Sequence, residues 1–201
     1  VNRNADCISL LSGGMDSLVG AIDLIKKGRK PIFVSHIVNG SVQAQRTFAS
    51  SLDATDRHFL WSFESRFPGS RENSTRGRSL VFYAFAAIAA DAIRNNHEGP
   101  VEVFVPENGF ISLNIALSPG RLGSLSTKTT HPIFISGIQQ LWDHLGLSLT
   151  LCLPYRFMTK GEMLQRCLDQ DLLKSLVFES VSCGKYIRSH KHCGDCVPCL
   201  V

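Results

Sequence analysis

A short apolar stretch, Cys7-Ile8-Ser9-Leu10-Leu11, runs directly into Ser12-Gly13-Gly14-Met15-Asp16-Ser17, after which Leu18, Ile22 and Ile25 recur at helical spacing. A buried strand, a glycine turn and an amphipathic helix in immediate succession commit the chain to an α/β fold, because the helix buries its apolar face only by packing back on the strand. Lys26-Lys27-Gly28 then supplies a basic last turn and a glycine C-cap. In such a turn the backbone N–H groups and the positive end of the helix form a cradle for an anion. The glycines allow close backbone approach, and the Ser12 and Ser17 hydroxyls can donate. Asp16, being anionic, suits a metal ion better than a phosphate. The plain alternative is a serine-rich turn that merely starts a helix; the strand before it and the helix after it favour phosphate binding.

The same alternation continues. Strands are expected at Pro31 to Ile37, His58 to Ser62, Val101 to Val105 and Leu147 to Leu153. Helices are expected at Val42 to Leu52, Ser79 to Asn95, Ile133 to Leu145 and, last, Thr159 to Cys167. Strands spaced by helical patterns imply a parallel sheet with crossover helices on both faces, here a five-stranded one. The helix from Ser79 is apolar nearly all round and is expected to lie under other elements. Two segments stand outside the pattern. Phe63 to Gly77 is polar, carries Arg66, Arg71 and Arg76 ahead of Arg78, and reads as a surface loop. Asn108 to His131 is a loop longer than common connections and rich in hydroxyls and bases, which favours a binding loop over a plain surface excursion.

With 201 residues, 44% apolar and 19% charged, the chain is long enough for one core and too apolar for a disordered tail. A net charge of +4 suits an anionic ligand but falls short of a dedicated DNA binder, so a nucleic-acid partner is not expected. The longest apolar run, Leu80 to Ala90, is too short for a span of roughly 20 helical residues, which argues against a membrane role. No secretory signal precedes the first strand, so a cytoplasmic, reducing setting is expected. A start without Met and a stop two residues after Cys199 suggest a portion of a longer protein.

Of seven cysteines, Cys183, Cys193, Cys196 and Cys199 crowd the last nineteen residues, whereas Cys7, Cys152 and Cys167 stand singly in apolar surroundings. That is a metal pattern rather than a disulfide frame. Four thiolates in one compact segment match a tetrahedral structural zinc site with no position left for water. The competing readings are free core cysteines or an iron–sulfur site. His190 and His192 could each replace a sulfur, but four sulfurs suffice.

Leu11-Ser12-Gly13-Gly14-Met15-Asp16-Ser17 resembles the SGGxDS loop of N-type ATP pyrophosphatases, which cleave ATP between its alpha and beta phosphates to adenylate a substrate. Together with the Cys183, Cys193, Cys196 and Cys199 knuckle it resembles the 7-cyano-7-deazaguanine synthase family over nearly the whole chain. Gly77-Arg78-Ser79 is similar to that family's GRN-led helix start, with Ser79 where Asn is usual, and Met158-Thr159-Lys160-Gly161-Glu162 is similar to its TK-E segment. The resemblance implies an adenine nucleotide alpha hydrolase-like fold at 1–176 and a small zinc-binding lobe at 177–201. It implies ATP held by Leu11 to Ser17, with Asp16, Ser17 and Lys160 acting on the phosphates, and Mg2+ and Zn2+ as cofactors. Arg78, Asn108, Thr129, Thr130 and His131 are candidates to hold a deazaguanine substrate; a surface arginine and a simple helix-start histidine are the plain readings of Arg78 and His131.

The implied reaction activates the 7-carboxy-7-deazaguanine carboxylate as an acyl adenylate and passes it to a nitrogen nucleophile, ultimately giving the nitrile. The sequence departs from the family after the second strand, where His36-Ile37-Val38-Asn39-Gly40-Ser41-Val42-Gln43 replaces an aromatic-Gly-Gln signature. The loop from Asn108 to His131 is similar to that of a branch found in antiphage defence systems, which implies an operon-encoded protein partner whose amine could receive the deazaguanine. A homodimer is the other assembly open to such a chain. Two rivals use the same turn: a tRNA-modifying thiolase, and a non-catalytic nucleotide-binding scaffold or sensor in a defence complex.

Overall fold

Strands β1 (Cys7–Leu10) and β2 (Pro31–His36) are buried along nearly their whole length, so their sheet must be covered on both faces. The protein is described here from a computed structural model covering residues 4–37, 40–63, 78–96, 98–113, 129–183, 192–194, 196 and 199. Three further strands, β3 (His58–Trp61), β4 (Val101–Phe104) and β5 (Leu149–Cys152), complete a five-stranded sheet in the order β3-β2-β1-β4-β5. Every neighbouring pair is parallel.

Helices α1 (Met15–Lys26) and α2 (Val42–Ser51) cover one face, where Leu18, Ile22 and Phe48 pack with Phe33 of β2. Helices α3 (Arg78–Asp91) and α5 (Pro132–His144) lie over Ile8 and Val34 on the other face, through Tyr83, Ala86, Ile138 and Trp142. A short α4 (Gly109–Leu113) follows β4, while α6 (Lys160–Arg166) and α7 (Gln170–Leu176) pack beside α1 through Met163, Leu173 and Leu176. The expected α/β architecture is thus present, a parallel sheet flanked by helices. One contact fixes how close α1 lies to the sheet edge: a Cβ on Gly20 would fall 2.3 Å from Cβ of Pro106, just beyond β4.

The expected boundaries shift by a residue or two at strand and helix ends, as fraying termini do, and by four where α3 stops at Asp91, short of Asn95 and ahead of a 3-10 turn at Arg94–Asn96. Three differences are larger. The apolar α3 does not vanish beneath other elements, since Leu80 and Ile88 stay 49% and 61% exposed while Tyr83 and Ala86 meet the sheet. Helix α4 falls inside the expected long loop; five residues give no period to read, and it starts because Asn108 Oδ1 accepts from the N–H groups of Phe110 and Ile111. Helix α7 lies beyond the last expected helix, capped by Asp169, whose side chain accepts from Leu172 N. The arginine loop with Arg66, Arg71 and Arg76, the segment with Arg121 to Lys128, and His190 fall outside the described residues. No helix among the described residues is long and apolar enough to cross a membrane.

Candidate functional site

The sheet order reverses between β1 and β4. Chain direction runs outward from β1 through β2 to β3, then returns to β4 and proceeds to β5 on the opposite side. The loops leaving β1 and β4 diverge to opposite faces there, and the crevice beyond the carboxyl ends of such strands is where open α/β sheets take ligands. The glycine turn leaves β1 at this point, and Pro106-Glu107-Asn108 leaves β4.

The turn is held on every side. Leu11 N donates to Val34 O at 2.8 Å, and Leu11 O accepts from Ser35 Oγ at 2.6 Å. Gln45, fully buried on α2, donates through Nε2 to Ser12 O at 3.0 Å and to His36 O at 3.3 Å, tying the loops after β1 and β2 together. Gly13 has φ +86°, and a Cβ there would lie 3.0 Å from Ser41 O, so position 13 requires glycine twice over. Ser17 Oγ donates to Gly14 O at 2.8 Å and stands 3.2 Å from Ser12 Oγ. Ser12, Gly13, Gly14, Met15, Asp16 and Ser17 are thus brought together as one rigid turn at the α1 N-terminus.

Two residues distant in sequence converge on Asp16. Its Oδ2 accepts from Asn108 N at 3.1 Å and from Asn108 Nδ2 at 2.6 Å. Lys160 Nζ lies 3.5 Å from Oδ1, and both side chains are only 12% exposed. Within ion-pair reach of Lys160, Oδ1 nonetheless accepts no hydrogen bond among the described residues. A buried, under-satisfied carboxylate oxygen beside an ammonium group is a site prepared for further polar ligands. Lys160 is delivered by a capping box, in which Thr159 Oγ1 accepts from Glu162 N and the Glu162 carboxylate accepts from Thr159 N. The Thr159 N–H and hydroxyl hold the Glu162 carboxyl below its ordinary range. Thr159 and Glu162 therefore serve the helix start, which sets Lys160 against Asp16.

The remaining candidates separate. Asn108 is fully buried, bridging Asp16 to the start of α4. Thr129 O accepts from Tyr83 OH at 2.9 Å, and the Thr129 and Thr130 hydroxyls lie 3.2 Å and 3.0 Å from those of Ser79 and Ser112. His131 Nδ1 accepts from Ile133 N at 3.3 Å and so caps α5. Arg78 opens α3, and its side chain lies outside the described residues. Two cavities lie near this region, one reached through Gly109 and Thr159, the chain neighbours of Asn108 and Lys160, and one lined by Lys160 itself. One, of about 620 Å³, is mostly apolar and is bounded by Phe110, Thr130, Pro132, Ile135, Arg156 and Phe157. The other, of about 480 Å³, is bounded by Met15, Lys160, Leu164, Phe178, Ser182 and Cys199.

The Sγ atoms of Cys183, Cys193, Cys196 and Cys199 all lie within 4.8 Å of one another, a cluster that could hold a metal ion such as zinc. Cys193 N donates to Cys183 Sγ at 3.4 Å and Cys196 N to Cys193 Sγ at 3.3 Å, so backbone N–H groups turn in towards the sulfurs. The single cysteines differ. Burial pushes the Cys7 thiol well above its ordinary range, and burial pushes Cys152, with Glu102 beside it, and Cys167 up to about 11.

Gln45 and Ser182 were not legible as site residues. Gln45 looks like one more polar residue of a surface helix, and nothing in the sequence ties Ser182 to the glycine turn, to which it is bonded through Met15 N at 2.9 Å. No protein-family model matches the chain, and no curated protein matches it.

Proposed function

We propose that the chain is an ATP-dependent carbon–nitrogen ligase of the 7-cyano-7-deazaguanine synthase type, built on an N-type ATP pyrophosphatase fold. The reading rests above all on Asp16 and Lys160, brought within 3.5 Å of each other at the mouth of a glycine turn on the sheet's switch point. The polyphosphate would sit at the positive end of α1, beside the hydroxyls that already accept from Gly14 N and Met15 N, and Lys160 would neutralise charge that builds on the departing pyrophosphate. Asp16 Oδ1, beside Lys160 Nζ but accepting no hydrogen bond among the described residues, suits a cation, and magnesium bound there would add Lewis-acid charge stabilisation.

In the chemistry this reading assigns, a carboxylate oxygen of the deazaguanine acid attacks the alpha phosphorus. The bond from that phosphorus to the bridging oxygen breaks, and pyrophosphate leaves with the electron pair. A nitrogen nucleophile then attacks the acyl carbon, AMP departs, and the nitrogen loses a proton to give the amide; where the acceptor is ammonia, a second ATP adenylates the amide oxygen with loss of pyrophosphate, and that oxygen leaves on AMP as the nitrogen gives up its two protons, forming the nitrile. The chain's contribution is positioning and charge, and no side chain becomes a covalent nucleophile. The 620 Å³ cavity, with apolar walls, Arg156 and the Thr130 side chain, is where we seat the heterocycle. The four-cysteine cluster is read as structural zinc, since four sulfurs from one segment close a tetrahedron.

A thiolase is disfavoured, because the single cysteines are thiols raised by burial rather than poised thiolates. The measurement that decides is pyrophosphate and AMP release from ATP and Mg2+, with and without 7-carboxy-7-deazaguanine. Release that depends on the acid supports the ligase. Binding of ATP with no release leaves the scaffold reading standing instead. Mass spectrometry of co-expressed neighbours then separates ammonia from a partner amine as acceptor: an unmodified partner alongside free 7-cyano-7-deazaguanine excludes conjugation.

A further inference from the structure

The segment that enters the cysteine cluster is seated on the glycine turn. Val181 N donates to Gly13 O at 2.8 Å, and Ser182 Oγ accepts from Met15 N at 2.9 Å. The next residue, Cys183, is the first member of the cluster. On the near side of the turn, Ser12 Oγ accepts from Gly14 N at 3.3 Å. Two hydroxyls therefore face Gly14, where a Cβ would sit 3.4 Å from Ser12 Oγ and 3.5 Å from Ser182 Oγ.

The cluster fastens this segment from behind. His192 Nε2 lies 2.7 Å from Ser180 O, and since a carbonyl only accepts, that nitrogen carries the proton. Cys193 N closes back on Cys183 Sγ. Ser182 thus reaches the turn as part of a strap whose far end is set by four sulfurs within 4.8 Å of one another. A hydroxyl that accepts one N–H keeps its own proton to donate. Beside the 480 Å³ cavity that Met15, Lys160 and Ser182 line, that proton is available to an anionic oxygen.

The geometry points to Ser182 as a donor of the anion site, delivered there by the metal centre, so that a bound metal ion sets the affinity of the glycine turn for a polyphosphate. This rests on the reading of the turn as a phosphate site. The metal's part is indirect: it fixes the strap, the strap presents the hydroxyl, and the hydroxyl meets the anion. The rival geometry, in which Ser182 only plugs the turn until an anion displaces it, carries the opposite sign, because loss of the hydroxyl or of the metal would then tighten binding.

Calorimetric titration with ATP in excess magnesium separates them, using the zinc-loaded chain, the same chain after a zinc-selective chelator, and Ser182→Ala in both states. Metal content and far-ultraviolet circular dichroism accompany each titration. Ser182→Ala is expected to keep its metal and its spectrum yet bind ATP roughly tenfold or more weakly, the effect of losing one charge-assisted hydrogen bond. Chelation of the unaltered chain should weaken binding by at least as much, and returned zinc should restore it. In Ser182→Ala chelation should cost much less, since the two changes act through one hydroxyl. Unchanged or tighter binding by Ser182→Ala, or full affinity after chelation, overturns the inference while leaving the phosphate site intact. Failure of the zinc-loaded, unaltered chain to bind ATP overturns the phosphate reading and this inference with it.

Discussion

Asp16 joins two jobs that can be taken apart. Its Oδ2 accepts both donors of Asn108, which starts α4, while Oδ1 faces Lys160. Asp16→Ala removes both and leaves the buried Asn108 donors unpaired, a loss of about 1–3 kcal/mol in stability. Asp16→Asn keeps an acceptor for Asn108 but removes the charge opposite Lys160. It is expected to fold with an unfolding midpoint close to that of the parent and to release no pyrophosphate; near-normal release would remove Asp16 from the proposed chemistry. His58 carries a second prediction. Burial, with Arg46 as a smaller cause, lowers its imidazole to about 4 from an ordinary 6.5, and Ser35 Oγ lies 2.8 Å from its Nε2. Since Ser35 spends its proton on Leu11 O, the imidazole nitrogen is the donor of that pair. A lowered folded value means the unfolded chain takes up a proton first as pH falls. Stability is therefore full above about pH 6.5 and declines between there and about pH 4. Unfolding midpoints measured across that window should fall less steeply in His58→Gln, provided the other acid-sensitive groups are unchanged.

Among the elements, α1 has the most demanding fit. A Cβ at Gly20 would overlap the Pro106 ring at 2.3 Å, and both residues belong to segments that border the crevice. Gly20→Ala must therefore push α1 away from the end of β4, at about 1–3 kcal/mol for an overpacked contact. The expected readout is a lower midpoint in chemical denaturation, and an unchanged midpoint would mean that the helix moves freely there. A strand, a glycine turn and an amphipathic helix at the start were enough to anticipate this layer, as were the later strands from Val101 and Leu149, because each is bounded by a clear change of period. The four cysteines and Lys160 were equally visible. Helix α4 was not, because its start depends on the Asn108 side chain rather than on any repeat of apolar residues. Nor was the Gln45 clamp, whose partners are the carbonyls of Ser12 and His36, groups that carry no sequence signature. The Thr-x-x-Glu spacing at Thr159 has the physical content of a capping box, beyond its likeness to a family segment.

At the scale of the molecule, the two apolar clusters that hold the sheet are built almost wholly from residues before the cysteine segment. The cluster on the α1 face ends with Leu173, Leu176 and the flanking Val177 and Val181, and the cluster on the α3 face ends with Leu149 to Leu153. Among the described residues, those from Cys183 onward add hydrogen bonds but no apolar member to either cluster. On the zinc reading the metal would supply the order of the cluster, because so short a segment does not offset its own conformational entropy. Chelation is thus expected to act in two tiers. The segment after Cys183 should become open to limited proteolysis within the tail, while the sheet keeps its far-ultraviolet circular dichroism and most of its thermal midpoint. Mass spectrometry of the trimmed product should then find a core that retains β1 through α7. Cooperative loss of the whole fold on chelation would instead show that the strap over Gly13 and Met15 holds the sheet as well as the turn, and would place the boundary near 176 in error.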